Sequence, residues 1–184
     1  MRFLSLFSFS SLLFGAALAA GETSRSTCDE LASVLPNNTF FAEAPTYNAS
    51  VSSYPFLQLR LHPSCIVRPK TAHDVVTTLG VLTDTNCTKF AIKGGGHNAN
   101  VGYNNIQDGV TIDMQSMNDV EVARGDKVVR VGAGSLWQNV YDVAEKRNLT
   151  VLGGRIGVVG TAGFLTGGKS PGLPEIFLKF VNSR

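Results

Sequence analysis

The residues best suited to chemistry form one short run, Gly94-Gly95-Gly96-His97-Asn98, directly after the alternating stretch Lys89 to Lys93. Three glycines let a backbone approach a ligand closely and take positive φ. Successive N–H groups freed in this way make a nest for an anion such as a pyrophosphate. A plain turn would need fewer glycines. His97 is the histidine placed in this loop, and it has the chemistry of a base, a tether or a simple hydrogen-bonding group. Metal binding is the weakest of its options, because no Cys, Asp or Glu lies at ligand spacing. His62 falls in a loop and His73 on the polar face of a helix, so both are expected to be solvated.

Two nucleotide-binding patterns are excluded by context. A dinucleotide fold needs G-x-G-x-x-G opening a helix after its first strand, and none occurs. Gly163-Phe164-Leu165-Thr166-Gly167-Gly168-Lys169-Ser170 spells a triphosphatase phosphate loop. That loop must open a helix, and Pro171-Gly172-Leu173-Pro174 follows at once.

The elements that must position the loop are legible from pattern. A helix is expected near Cys28 to Leu35, followed by loop to about Tyr54. Ile66 to Arg68 reads as a strand. Thr71 with Asp74 makes a capping box, and Val75, Leu79 and Leu82 give helical spacing over Thr71 to Thr83. Lys89 to Lys93 is a strand, so a βαβ-like unit leads into the glycine run. Val110 to Asp113 is a further strand. Val120 to Val122 and Lys127 to Val131 form a hairpin turning at Arg124-Gly125-Asp126. Ser135 with Gln138 is expected to cap a helix whose buried face is Leu136, Val140 and Val143, and Thr150 to Leu152 is a short strand. Strands and helices are mixed without strict alternation, which gives an α+β fold.

Residues 1–20 read as a secretory signal peptide, with Arg2, an apolar run from Phe3 to Leu18 and a small-x-small cut after Ala19 or Ala20. The run is too short and too serine-rich to be read as a membrane span. The formal net charge of +2 points to neither nucleic acid nor anionic membrane. In an oxidising compartment, Cys28, Cys65 and Cys87 imply one bridge and one leftover thiol. Cys28–Cys87 is the expected pair and Cys65–Cys87 its competitor. Asn37, Asn48, Asn86 and Asn148 stand in Asn-x-Ser/Thr sequons, and at least some of them are expected to carry glycans.

Cys65-Ile66-Val67-Arg68-Pro69, Phe90 to Asn98, Gly109 to Met114, Met117-Asn118 and Val131-Gly132-Ala133-Gly134, in that order and spacing, resemble the secreted berberine-bridge-enzyme-like branch of the vanillyl-alcohol-oxidase superfamily. The resemblance runs from about Cys28 to Gly168. It implies a flavin domain of the p-cresol-methylhydroxylase type and FAD as cofactor. Lys93, Gly94, Gly95, Gly96, His97 and Asn98 would be the pyrophosphate loop. His97 would carry FAD covalently through the flavin 8α-methyl. Gly102 and Tyr103 would line the cofactor, with Gly160, Thr161 and Gly163 near the ring or phosphates. The position of a second, cysteinyl tether found in some members is occupied by Ile156.

The resemblance further implies a secreted FAD-linked oxidase, with a small-molecule substrate, oxygen as acceptor, and no nucleic-acid or membrane partner. Its organisation would be a signal peptide over 1–20, an N-terminal segment over 21–60, a partial FAD domain over 61–168 and a tail over 169–184 that departs from the family pattern. The catalytic bases and substrate domain are expected beyond this stretch. The rival reading is a non-catalytic secreted glycoprotein fragment or truncated gene model.

Overall fold

A computed structural model describes residues 24–123, 125–167 and 181–182 of the chain. The expected signal peptide, Arg124 of the expected hairpin turn, Gly168 and the expected tail apart from 181–182 lie outside the described residues.

Helix α1 (24–34) leads into strand β1 (Thr39–Phe40) and helix α2 (Pro45–Ser52). Strand β2 (Cys65–Val67), helix α3 (Ala72–Asp84), and strands β3 (Phe90–Lys93) and β4 (Val110–Asp113) follow. They build one sheet in the order β1-β2-β4-β3, with β1 antiparallel to β2 and the other pairs parallel. The expected crossover from β2 through α3 to β3 is present, but β4 lies between its two strands. The strands expected at Ile66 and Lys89 each start one residue off, within normal end-fraying.

The sheet has a helix layer on each face. Cys28 and Leu31 of α1 and Val81 and Leu82 of α3 pack with Cys65, Val67, Val110 and Ile112. On the other face, Tyr47 and Val51 of α2 cover Ile66. The Thr71–Asp74 capping box forms as expected: the Asp74 N–H donates to Thr71 Oγ1 at 3.1 Å and the Thr71 N–H to Asp74 Oδ2 at 3.2 Å. The face α3 buries is Thr78, Val81 and Leu82; of the other residues expected at helical spacing, Val75 is partly covered and Leu79 exposed. Thr78 tolerates burial because its hydroxyl donates back to the Asp74 carbonyl at 2.7 Å.

Neither expected cysteine pairing forms. The disulfide is Cys28–Cys65, and Cys87 is a buried free thiol. Because α1 lies directly on β2, the Cα atoms of Cys28 and Cys65 are 5.9 Å apart, inside the range a bridge requires.

A second lobe begins with the hairpin of β5 (Val120–Ala123) and β6 (Val128–Val131), turning through positive φ at Gly125 and Asp126. Helix α4 (Trp137–Glu145), strand β7 (Leu149–Thr150) and helix α5 (Thr161–Thr166) complete it, and β8 (Val181–Asn182) pairs with β7. Its core is Val129, Trp137, Val140, Ala144, Leu149 and Val151, with Phe164 edge-on to Trp137 at 5.3 Å. The cap of α4 falls one residue later than expected: the Leu136 N–H donates to Asn139 Oδ1 at 2.9 Å. The buried face is therefore Trp137, Val140 and Ala144, with Leu136 and Val143 only partly covered.

Candidate functional site

The two lobes meet where the two glycine segments touch. Gly95 and Gly160 lie backbone against backbone, and a Cβ on Gly95 would sit 2.4 Å from the Gly160 nitrogen. Only glycine at both positions permits this approach. Next to this contact, β3 ends and the chain turns through Gly96 at φ +72°.

A cleft of about 380 Å³ opens there. Its walls bring together Gly94, Gly95, Gly96, His97, Asn98, Tyr103, Gly160 and Gly163 of the expected site residues. Ile92, Asn104, Val159 and Phe164 complete the lining and carried no signal in the sequence. A smaller cleft of about 180 Å³ lies against the same loop, between Gly95, Gly96 and His97 and the chain at Ser53, Pro55, Phe56 and Val158. His97 is exposed and lines both clefts.

Among the described residues, no acceptor takes up the backbone N–H groups of Gly95, Gly96, His97 or Asn98. An unpartnered row of donors next to a cleft is the arrangement of an anion nest. Among the described residues the cleft wall holds no Asp or Glu, so no carboxylate there repels a phosphate.

Three expected site residues lie elsewhere. Gly102 turns with φ +86° and does not reach the cleft wall. Thr161 is buried, and its N–H and hydroxyl both donate to the Ser135 carbonyl, at 2.9 and 3.1 Å. Lys93 is buried beneath the loop. Its ammonium donates to the Ser50 carbonyl and hydroxyl at 2.9 Å each and to Ser53 Oγ at 2.8 Å, with Asp113 Oδ2 at 3.5 Å.

This buried group forms the floor of the site. Lys93 and Asp113 are register partners on adjacent strands, so their side chains leave the sheet on the same face. Asp113 also accepts from Ser50 Oγ at 2.5 Å, and Arg68 Nε stands 3.9 Å away. Burial pushes the Lys93 ammonium below its usual range, and the Asp113 carboxylate opposes that shift. Its charge lies 4.4 Å from the Tyr54 ring centroid. Burial, reinforced by the Asp113 charge, drives the Tyr54 phenol far above its ordinary range. That phenol donates to the Asn104 carbonyl at 2.6 Å, and Asn104 Nδ2 donates to the Asn98 carbonyl at 3.0 Å. A Cβ on Gly96 would meet Tyr54 at 3.2 Å. Both ends of the glycine run are thus fixed from below.

The residues fit a flavin dinucleotide in part. The glycine run brings bare backbone to the cleft, its free N–H groups suit a pyrophosphate, and Ile92, Val159 and Phe164 offer apolar surface. The cleft volume is at the low end of small-molecule sites, about 300–1,000 Å³.

A family described as an FAD binding domain matches residues 63–172. The FAD-dependent monooxygenase yanF of Aspergillus niger is 38% identical over 161 residues, which are 81% of this chain and 28% of that protein. The FAD-dependent monooxygenase macF of Penicillium terrestre is 38% identical over 143 residues, 77% of this chain and 27% of that one. Among solved structures, 6-hydroxy-D-nicotine oxidase from Arthrobacter nicotinovorans superposes with a TM-score of 0.59 at 24% identity, over 68% of this chain and 27% of the other. Phl p 4, a grass pollen allergen with glucose dehydrogenase activity, gives 0.64 at 17% identity, over 72% and 29%. These structures share the fold, which is the mixed α+β fold expected from the sequence. The chain spans under a third of the length of each of these proteins.

Proposed function

The chain belongs to the FAD-binding domain family, and from that premise we propose that its cleft holds part of FAD in an oxidoreductase of the berberine-bridge-enzyme-like type. The observation that carries this reading is the row of unpartnered N–H groups from Gly95 to Asn98, held open where Gly95 meets Gly160. These groups would receive the pyrophosphate, and Ile92, Val159 and Phe164 would shield the apolar parts of the cofactor. Bound FAD supplies a two-electron acceptor for a small-molecule substrate, with oxygen as the proposed final acceptor. Among the described residues of the cleft wall, His97 and Tyr103 are the titratable side chains, and the part proposed for the wall is to bind and orient the cofactor. Lys93 works from below, fixing the start of the loop.

His97 is the proposed covalent attachment point. It is exposed, lines the cleft, and is engaged by no other side chain among the described residues. Secretion with N-glycosylation is proposed on the disulfide and on the exposure of Asn37, Asn48, Asn86 and Asn148. No helix among the described residues is long and apolar enough to cross a membrane.

The test is to produce the chain with FAD, precipitate it in acid, and measure mass and flavin fluorescence of the pellet. The wild-type chain is expected to gain one FAD, and His97→Ala to gain none. Flavin retained by His97→Ala would move the tether elsewhere, and a wild-type pellet without flavin would remove the covalent assignment. Glycosidase treatment of the secreted product is expected to lower its mass.

A further inference from the structure

We propose that Asn104 is a cofactor-reading residue whose Oδ1 accepts a hydrogen bond from a hydroxyl or ring N–H of the bound flavin nucleotide. This rests on the reading of the cleft as an FAD site.

Asn104 is 6% exposed and forms part of the cleft wall. Its amide has two ends with different fates. Nδ2 donates to the Asn98 carbonyl at 3.0 Å, and because that partner is an acceptor, the amide orientation is fixed. The other end, Oδ1, is buried, and no donor among the described residues reaches it. Leaving a buried carbonyl oxygen without a donor is costly, and such an exception calls for a specific explanation.

The side chain is not free to swing toward a better partner. The Tyr54 hydroxyl holds the Asn104 main chain at 2.6 Å, and Tyr54 is itself wholly buried under the Lys93 ammonium. Asn104 is therefore held in the wall by the same floor that shapes the glycine loop.

The chemistry of the ligand then sorts itself. Phosphate oxygens at neutral pH are acceptors and would face Asn104 Oδ1 unfavourably. The free N–H groups of Gly95 to Asn98 serve the phosphates, and Asn104 serves a donor. In FAD the donors are the ribityl and ribose hydroxyls, the ring imide N–H and the adenine amine.

The experiment measures dissociation constants of the full chain for riboflavin, lumiflavin and ADP, for wild type, Asn104→Leu and Asn104→Asp. Leu removes the acceptor at similar volume, and Asp keeps an oxygen at that position. Asn104→Leu is expected to weaken the ligand bearing the matching donor about tenfold and to leave the others nearly unchanged. Loss confined to riboflavin assigns the ribityl chain, loss shared by riboflavin and lumiflavin assigns the ring, and loss confined to ADP assigns the adenosine half. Asn104→Asp, which like Leu loses the donation to the Asn98 carbonyl but keeps an oxygen acceptor, is expected to bind that ligand more tightly than Asn104→Leu does. Equal loss for all three would show that Asn104 acts only through the Asn98 carbonyl, and no loss would show that no ligand donor reaches Oδ1; either result overturns the proposal. A wild-type chain that binds none of the three would instead overturn the cofactor reading itself, and this assignment with it. Should Asn104→Leu fail to fold, Asn104→Ser withdraws the oxygen and gives the same comparison.

Discussion

The two glycine segments have similar composition and different surroundings. In the segment from Gly153 to Gly163, glycine mostly makes room for neighbours. A Cβ on Gly153 or Gly154 would strike the Trp137 ring at 2.2 or 2.6 Å, and one on Gly157 would strike Gln138. Only Gly163 faces open space. In the segment from Gly94 to Gly96, the backbone lines the cleft and is supported from below by a charged, hydrogen-bonded floor. Glycine count alone therefore does not identify a ligand loop. The distinction lies in what each glycine borders: Gly94, Gly95 and Gly96 all line the cleft, whereas Gly153, Gly154 and Gly157 pack against side chains of α4.

Gly95→Ala breaks this comparison at its hinge and has the largest expected effect. The added carbon meets backbone at 2.4 and 2.7 Å, and backbone cannot rotate away as a side chain can. Destabilisation of about 3 kcal/mol or more is expected, at the upper end of overpacking costs, and chemical denaturation measures it. A change below about 0.5 kcal/mol would mean that the lobes part freely.

Lys93→Met tests the floor. It strands the Asp113 carboxylate, which is 0% exposed, with Ser50 as its close partner. Breaking a buried pair from one side costs about 3–5 kcal/mol; the nearby Arg68 places the expected loss near about 3 kcal/mol. A melt within a degree of wild type would show that the pair contributes nothing.

Gly163→Ala sharpens the contrast because stability and binding should move in opposite directions. Nothing lies within 4 Å of the added carbon, and the residue is inside α5, where alanine is favoured by about 0.5–1 kcal/mol. A slightly higher Tm with weaker FAD binding is expected. Unchanged FAD affinity would take Gly163 out of the site.

The smallest effect is remote from both segments and serves as their control. Hydrogen bonds from the Lys70 N–H and then from Thr71 hold the Asp74 carboxyl below its ordinary value of 3.8. The unfolded chain therefore takes up a proton first, and stability is lost as pH falls below about 3.8. Asn at position 74 should remove that slope from acid titration curves while leaving FAD affinity untouched. An acid limb equally steep in Asp74→Asn would reject the assignment.

What the sequence showed and what it hid divide along the same physical line. The Thr71–Asp74 box and β4 were legible because local hydrogen bonding and β-branching decide them. Helix α2 was not, since its buried residues are Tyr47, Ser50 and Val51 in a polar stretch, and only Pro45 at its first turn hinted at a start. The alternation in β3 was legible, but its inside was not: Ala91 and Lys93 are buried, and Ile92 is 53% exposed. A lysine is read as an outward residue until its partners are known, and those partners, Ser50, Ser53 and Asp113, come from distant stretches of chain. The disulfide likewise depended on α1 lying against β2. Most residues of the cleft wall were found from the glycine pattern and the family resemblance, whereas Asn104 and Phe164 became visible only once the two lobes were together.

The meeting of Gly95 with Gly160 has a thermodynamic consequence. One wall of the cleft comes from the sheet and the other from the hairpin lobe, so a molecule that grips both walls binds only when both lobes are folded and docked. Such a ligand draws the whole population toward the docked state, by about 2.7 kcal/mol at a concentration 100 times its Kd. The midpoint of thermal unfolding should then climb with the logarithm of FAD concentration, as one transition for both lobes, and the cofactor becomes a structural element of the domain it serves.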